Sequence, residues 1–151
     1  MFEDKCYNIE QTIVIMKIKE TGELVGGYNP VCWNIKGKSL NEDYWITTDK
    51  SFIFKINENQ LNNSILSRVK NPQYAMFHPK QTYDFIDNNI NITEVNFGLG
   101  SGHYDLHLRK SVNNEFYCYY RFTRLSAYEP NLNLRNNYQL LEEYEVYKLI
   151  N

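Results

Sequence analysis

A short segment with two adjacent glycines places the strongest constraint on how this chain can fold. Residues 22–33 read Gly-Glu-Leu-Val-Gly-Gly-Tyr-Asn-Pro-Val-Cys-Trp. Gly26 and Gly27 interrupt an apolar run, which predicts that another backbone or a large ring approaches too closely for a Cβ, or that the strand bends. Pro30 has no N–H to donate and holds the preceding residue extended, so strand pairing should end there. Trp33 follows this stop, and we expect its ring to cover the edge of a core.

The rest of the chain alternates short apolar runs with turn residues, which predicts a fold made mainly of strands. Residues 12–19 form a β-rich run, and residues 24–28 should return antiparallel to it after a polar turn. In the strand predicted at 51–56, Phe52 and Phe54 share one face. Aromatic residues make up 15% of the chain and include 13 tyrosines, a composition that favours sheet. Further strands are predicted at 44–46, which contains Trp45, and at 104–109, 116–122 and 141–150.

The region 59–77 supports two interpretations. Residues 64–69 and 73–77 flank Lys70-Asn71-Pro72, and we interpret them as a hairpin. The alternative is a helix over 59–70, because its apolar residues fall at helical spacing. Polar stretches at 34–44, 127–131 and 135–137 are interpreted as loops, and Pro79–Glu94 as a long surface loop. Many short strands and little helix predict a single domain over residues 1–151 that folds as a β-sandwich or a partly closed barrel.

Charge and composition exclude several function classes. The net charge is −2 and the isoelectric point is about 5.9, which gives no electrostatic basis for binding nucleic acid. No stretch approaches the roughly 20 apolar residues of a membrane helix, and no secretory leader opens the chain. We therefore expect a soluble, intracellular, cytoplasmic protein. Cys6, Cys32 and Cys118 are odd in number and far apart, which favours a reducing compartment, and the apolar neighbours of Cys32 and Cys118 indicate core residues rather than reactive thiols.

The glycine-rich segment around residues 98–103 offers no cofactor or metal site. Gly98, Gly100 and Gly102 are followed by a predicted strand rather than a helix, so the segment does not form a phosphate-binding loop. We interpret it as a place where a neighbouring backbone crosses closely. His103 and His107 are too far apart on a strand for comfortable joint ligation of zinc, and no further ligand stands at a suitable spacing. We predict no metal and no cofactor.

Hydrolysis or peroxide handling is the enzymatic alternative. Ser101 lies between two glycines, which weakly resembles the nucleophile elbow of hydrolases, but the segment leads into a strand rather than a helix. Ser67 and Ser126 have no such flanking glycines. The alternative would use Glu145 with His103 or Ser101. Its test is whether these groups come within hydrogen-bond reach of one another.

Acidic residues crowd the last predicted strand. Glu142, Glu143 and Glu145 lie there, and Tyr144, Val146 and Ile150 form one apolar stripe. Alternation places the last two glutamates on the opposite face, so we expect at least one carboxylate to be half-buried beside aromatic rings. A buried carboxylate requires donors, and the simplest role for Glu145 is to hold a loop or the glycine-rich turn by hydrogen bonds.

Several of these segments resemble, in order, the TLDc domain of the oxidation-resistance proteins, and most of all its fungal members. The resemblance spans residues 22–33, 45–56, 64–72, 96–102 and 142–147. It implies a sandwich of two antiparallel sheets with small flanking helices, in which residues 2–6 match the tail of an N-terminal helix whose start is missing. It also implies a non-enzymatic interaction module linked to oxidative-stress resistance, with acidic closing residues that matter for protection. Several TLDc proteins bind the vacuolar proton-pumping ATPase, which is the protein partner that we expect. The residues of this chain that lie in the family's motifs are Gly26, Gly27, Pro30, Trp33, Trp45, Phe52, Phe54, Gly98, Gly100, Gly102, Glu142 and Glu145.

Overall fold

The computed structural model describes residues 9–33, 44–78, 93–98, 104–111, 113–135 and 137–150. This part of the chain is mainly β, as predicted, with two single-turn 3₁₀ helices at Leu61–Asn63 and Pro72–Tyr74. Its strands are β1 (Thr12–Ile18), β2 (Leu24–Asn29), β3 (Tyr44–Ile46), β4 (Phe52–Ile56), β5 (Ile65–Val69), β6 (Met76–His78), β7 (Thr93–Gly98), β8 (Tyr104–Lys110), β9 (Phe116–Tyr120), β10 (Tyr128–Glu129) and β11 (Tyr138–Lys148). No helix in these segments has the length and apolar character needed to cross a membrane.

The strands form one continuous antiparallel sheet in the order β10-β5-β4-β2-β1-β11-β9-β8-β7-β6-β3. The long strand β11 joins its two halves. Residues 141–148 of β11 pair with β1, whereas residues 138–140 pair with β9. The register between β1 and β11 shifts between Lys17 and Ile18, and a bulge of this kind bends a strand. We call the strands from β10 to β1 the first half and those from β9 to β3 the second half.

The core lies between the two halves, because side chains of strands that are not neighbours in the sheet meet there. Phe97 of β7 contacts Trp33 edge-on at 5.7 Å and Tyr128 at 6.2 Å between ring centroids. Its ring also lies against Gly27 of β2. The sheet must therefore double back on itself, which agrees with a sandwich-like arrangement whose layers share β11. Fully buried core side chains include Val14, Met16, Ile18, Val25, Leu106, Leu108, Cys118 and Leu132.

The two adjacent glycines of β2 are required by close approach on both sides of the strand. A Cβ on Gly26 would lie 2.0 Å from the carbonyl oxygen of Val14, and a Cβ on Gly27 would lie 2.5 Å from Cζ of Phe97. The predicted approach of a backbone or a ring is thus confirmed. The strand ends immediately before Pro30, as predicted. Trp33 is 5% exposed, and its indole N–H donates to Oγ1 of Thr12 at 2.8 Å.

The prediction of a hairpin over residues 64–77 is wrong, and so is the alternative of a helix over 59–70. Strand β5 pairs with β4 and β10, whereas β6 pairs with β3 and β7 in the other half. The connection cannot turn tightly because the N–H groups of Lys70 and Asn71 both donate to the carbonyl of Ala127, at 2.7 and 3.1 Å. Pro72 then opens a 3₁₀ turn. The apolar residues at helical spacing share no buried face, since Leu61 is 68% exposed.

The segment 127–131, predicted as a loop, contains the short strand β10 and a fully buried tyrosine. The hydroxyl of Tyr128 donates to the carbonyl of Ala75 at 2.7 Å and lies 2.8 Å from Oγ of Ser51. Ser51 in turn donates to the carbonyl of Tyr28 at 2.6 Å. This chain of hydrogen bonds links the two halves inside the core. The interpretations of residues 2–6, 34–43 and 79–92 lie outside the described residues, but Thr93 and Glu94 belong to β7 rather than to a loop.

Replacing Tyr128 with phenylalanine should lower the free energy of unfolding by about 1–3 kcal/mol, because the carbonyl of Ala75 would lose one of its two donors and Oγ of Ser51 would lose its contact with the hydroxyl. Urea unfolding of the wild type and the variant measures the difference. Tyr138, which is 47% exposed, provides the control. Its replacement by phenylalanine should change the stability by less than about 0.5 kcal/mol. Equal effects of the two substitutions would contradict the role given to the buried hydroxyl.

Candidate functional site

The first half of the sheet has a second apolar surface on the side away from the core. Cross-strand pairing places Tyr147, Ile13, Tyr28 and Phe52 in one row, from β11 to β4. The next row runs through Ile15, Gly26, Phe54 and Leu66. These positions alternate along β1 with Val14 and Met16, which are fully buried in the core. We call this surface the outer face; it comprises Ile13, Ile15, Tyr28, Phe52, Phe54, Leu66 and Tyr147.

Aromatic rings pack against one another across the centre of the outer face. Tyr28 stacks on Phe52 with ring centroids 5.2 Å apart, and Phe52 contacts Phe54 at 6.5 Å. Gly26 makes this possible, because a Cβ there would lie 2.7 Å from Cζ of Phe54. Phe54 is therefore only 7% exposed, but Leu66 remains 45% exposed. The glycine thus lets the ring of Phe54 pack down onto the sheet, while Leu66 beside it stays exposed.

The glutamates of β11 border this surface, and all of them are exposed. The prediction of a half-buried carboxylate is wrong, because Tyr144 and Val146 occupy the half-buried positions of the strand. Glu145 accepts a hydrogen bond from the hydroxyl of Tyr147 on the same strand, not from a loop. The predicted apolar stripe also ends early, since Ile150 is 91% exposed. We call Glu142, Glu143 and Glu145 the acidic margin.

The one lysine of β1 on the outer face is already engaged at this margin. The ammonium of Lys17 lies 3.0 Å from Oε2 of Glu142, and this hydrogen bond raises the pKa of Lys17. In the sheet register, however, Lys17 stands opposite Glu143. Three carboxylates against one ammonium leave the margin with a net negative charge.

The set of residues proposed for catalysis is only partly described. Glu145 lies exposed beside the outer face, whereas Ser101, His103, Gly100 and Gly102 lie outside the described residues. The enzymatic alternative therefore stays a prediction. The described segments contain no group of three histidine, cysteine, aspartate or glutamate side chains arranged to hold a metal ion.

A buried carboxyl that sequence reasoning missed lies at the start of β8. Asp105 is 1% exposed, and its Oδ2 accepts the N–H of Ala127 at 2.8 Å. Burial raises the pKa of Asp105 to about 7, although the hydrogen bond from Ser126 opposes this shift. A Cβ on Gly98 would lie 2.4 Å from the same carboxyl oxygen, and Gly98 has a φ of +107°. Gly98 is the sequence signal for this site, because its missing side chain indicates a close neighbour. That neighbour is Asp105, which approaches with its carboxyl group as well as with its backbone N.

The polar side of β8 is covered, not open to solvent as simple alternation suggests. His107 is 3% exposed and stacks on Tyr119 with ring centroids 5.2 Å apart. Burial, with a smaller contribution from Arg109, lowers the pKa of His107 to about 4. Asp105 and His107 are therefore two buried titratable groups on the same side of one strand.

The two described cysteines differ in their surroundings. Cys118 is fully buried, as predicted, and burial raises the pKa of its thiol to about 12. Cys32 is only half-buried, and its Sγ donates to Oε1 of Glu10 at 3.6 Å, so the prediction of a core residue is wrong for this position. Cys32 lies beyond the end of β2, next to Trp33, and it is the indole of Trp33 rather than this thiol that enters the core. Cys6 lies outside the described residues.

Comparison with known proteins identifies the family. No curated protein matches the chain in a sequence search. The family model of the TLDc domain, in contrast, matches residues 1–150. This match and the mainly β architecture agree with the resemblance noted in the sequence motifs, and the chain belongs to the TLDc domain family.

Proposed function

We propose that this TLDc domain is a non-enzymatic protein-interaction module that contributes to oxidative-stress resistance within the cell by binding the vacuolar proton-pumping ATPase. The observation that carries the proposal is the outer face, a partly exposed aromatic and aliphatic surface bordered by exposed carboxylates, in a member of the TLDc family. Contiguous apolar surface with a polar rim is typical of protein-binding sites.

The composition of the outer face supports binding rather than chemistry. Tyrosine and phenylalanine are enriched at the centres of interfaces, where their large rings are buried with little loss of conformational entropy. Tyr28 and Phe52 occupy such central positions here and are held by their mutual stacking. The carboxylates of the margin are exposed and can steer a partner of opposite charge.

The direct test is whether the immobilised domain retains the purified soluble sector of the vacuolar ATPase. We expect stoichiometric retention and a change in ATP hydrolysis by the retained complex. An unrelated β-sandwich domain of similar net charge provides the control. Absence of retention at micromolar concentrations would contradict the proposed partner.

The enzymatic alternative is tested with the same preparation. We expect the purified domain to leave the rate of peroxide consumption, and of ester hydrolysis, equal to that of buffer. Activity that disappears in Glu145→Gln would instead favour the alternative, because this substitution keeps the shape of an exposed side chain and removes only its charge.

A further inference from the structure

We propose that the outer face binds an amphipathic helix of a partner protein, with the apolar stripe of that helix on Phe52 and Leu66 and its lysine or arginine side chains over Glu143 and Glu145. The inference rests on the proposed interaction function and names the chemistry of the partner. It follows from three properties of the outer face: its shape, its backbone hydrogen bonding and the distribution of its charges.

The shape of the outer face suits a rigid apolar element. Gly26 removes a Cβ from the centre of the surface, so that the ring of Phe54 packs over β2 beside the stacked pair Tyr28 and Phe52. Leu66 and Tyr147 stand on opposite sides of these rings and are 45% and 46% exposed. A sheet with an apolar face buries it against another layer in a stable protein, and a helix is one of the two kinds of layer that can cover such a face.

The backbone of these strands favours a helix over an extended peptide. Between β11 and β5, each inner strand is paired on both sides, so its N–H and C=O groups are already used within the sheet. From β1 to β4 the outer face therefore offers side chains to a partner, not backbone donors or acceptors. A helix satisfies its own backbone and presents only side chains, whereas an extended segment lying on this face would leave its polar groups unpaired.

The charges on the two sides of the outer face define the orientation of the partner. Glu143 and Glu145 border it along β11, and the ammonium of Lys17 is taken by Glu142. On the opposite side Arg68 of β5 stands in register with Phe52. A helix with basic residues along one flank complements the β11 side, whereas an acidic flank would be repelled there.

The test measures binding of a synthetic amphipathic helix made of leucine and lysine to the purified domain by fluorescence anisotropy. We expect saturable binding that weakens as salt is added. The double substitution Glu143→Lys and Glu145→Lys should raise Kd about tenfold or more. Leu66→Glu should have a similar effect, because it places a charge on the apolar area. Glu115→Lys, an exposed charge reversal in the second half, is the matched control and should leave Kd unchanged.

Two further probes can overturn the inference. A helix of leucine and glutamate that binds as tightly as the lysine peptide would show that charge plays no part. Equal binding by the margin variants and the wild type would place the site elsewhere. Sedimentation of the domain alone tests a second copy as the occupant; self-association that Leu66→Glu abolishes would replace the helix with another copy of this chain.

The failure of this inference can be told apart from the failure of the proposed function. If the wild type and the margin variants retain the ATPase sector equally, the proposed function stands and the inference falls. If binding of the lysine peptide depends on the acidic margin but the ATPase sector is not retained, the outer face is supported as a helix-binding site and the proposed partner is contradicted. Circular dichroism of each variant confirms that these exposed substitutions leave the fold intact.

Discussion

Replacing Gly26 with alanine should lower the free energy of unfolding by about 3 kcal/mol or more. The new Cβ would lie 2.0 Å from the carbonyl oxygen of Val14, and a backbone atom in the middle of a sheet cannot move aside cheaply. Urea unfolding followed by tryptophan fluorescence measures the change. Gly22→Ala is the control, because nothing lies within 4 Å of a Cβ there and only the positive φ of +70° opposes the substitution. Its expected effect is about 1 kcal/mol.

The neighbouring glycine provides a contrast within the same experiment. Gly27→Ala should also destabilise the fold, but its methyl group would meet the ring tip of Phe97, a side chain, at 2.5 Å. Phe97→Leu removes that ring tip, so the double variant should be less destabilised than the sum of the two single variants. No such rescue is expected when Phe54→Leu is combined with Gly26→Ala, since the backbone oxygen of Val14 remains. Rescue in both cases, or in neither, would contradict the assignment of the two contacts.

Substitution of either Asp105 or His107, the two buried titratable groups of β8, should make the free energy of unfolding depend steeply on pH. In the wild type the contributions of the two groups offset each other. The pKa of Asp105 is raised from 3.8 to about 7, so between these values the folded state holds a proton that the unfolded chain has lost. The stability that this gives is fully present below pH 4 and disappears as the pH rises towards 7. The pKa of His107 is lowered from 6.5 to about 4, so its contribution is lost as the pH falls from 6.5 to 4. With rising pH the Asp105 contribution to the free energy of unfolding falls and the His107 contribution rises, so the two nearly cancel between pH 4 and pH 6.5.

Asp105→Asn keeps an acceptor for the N–H of Ala127 and removes the titration. The stability of this variant should fall by about 3 kcal/mol as the pH drops from 6.5 to 4, because His107 then acts alone. His107→Gln should show the reverse, a gain of about 4 kcal/mol over the interval from pH 7 to pH 4. Urea unfolding at several pH values gives the slopes. Slopes equal to that of the wild type in both variants would show that neither group is perturbed by burial.

Local patterns in the sequence were sufficient for many of the strands and for the close packing at the paired glycines. Alternation located β4 and β8, because a strand with one buried face repeats every two residues, and runs of β-prone residues between turns located β1, β2 and most of β11. Gly26 and Gly27 predict that a neighbouring backbone or ring approaches β2 closely, since a missing side chain in an apolar run has few other causes. The end of β2 followed in the same way from the chemistry of Pro30.

What the sequence did not reveal depends on contacts between distant residues. The separation of β5 from β6 results from hydrogen bonds to Ala127, more than fifty residues later in the chain than Lys70 and Asn71. The burial of Asp105 and His107 could not follow from alternation, which assigns side chains to faces but does not say whether a face is covered. For the same reason the glutamates of β11 were expected to be half-buried, although their face remains exposed.

The position of β11 in the sheet has a consequence for how this domain folds during translation. The strand lies between β1 and β9, yet it follows both of them in the chain. The N–H and C=O groups of β1 that face β11 therefore stay unpaired with it until residues 138–148 have been synthesised. Closure of the sheet is a late event, and a nascent chain halted before Tyr138 would have two sets of strands without the strand that pairs with both of them.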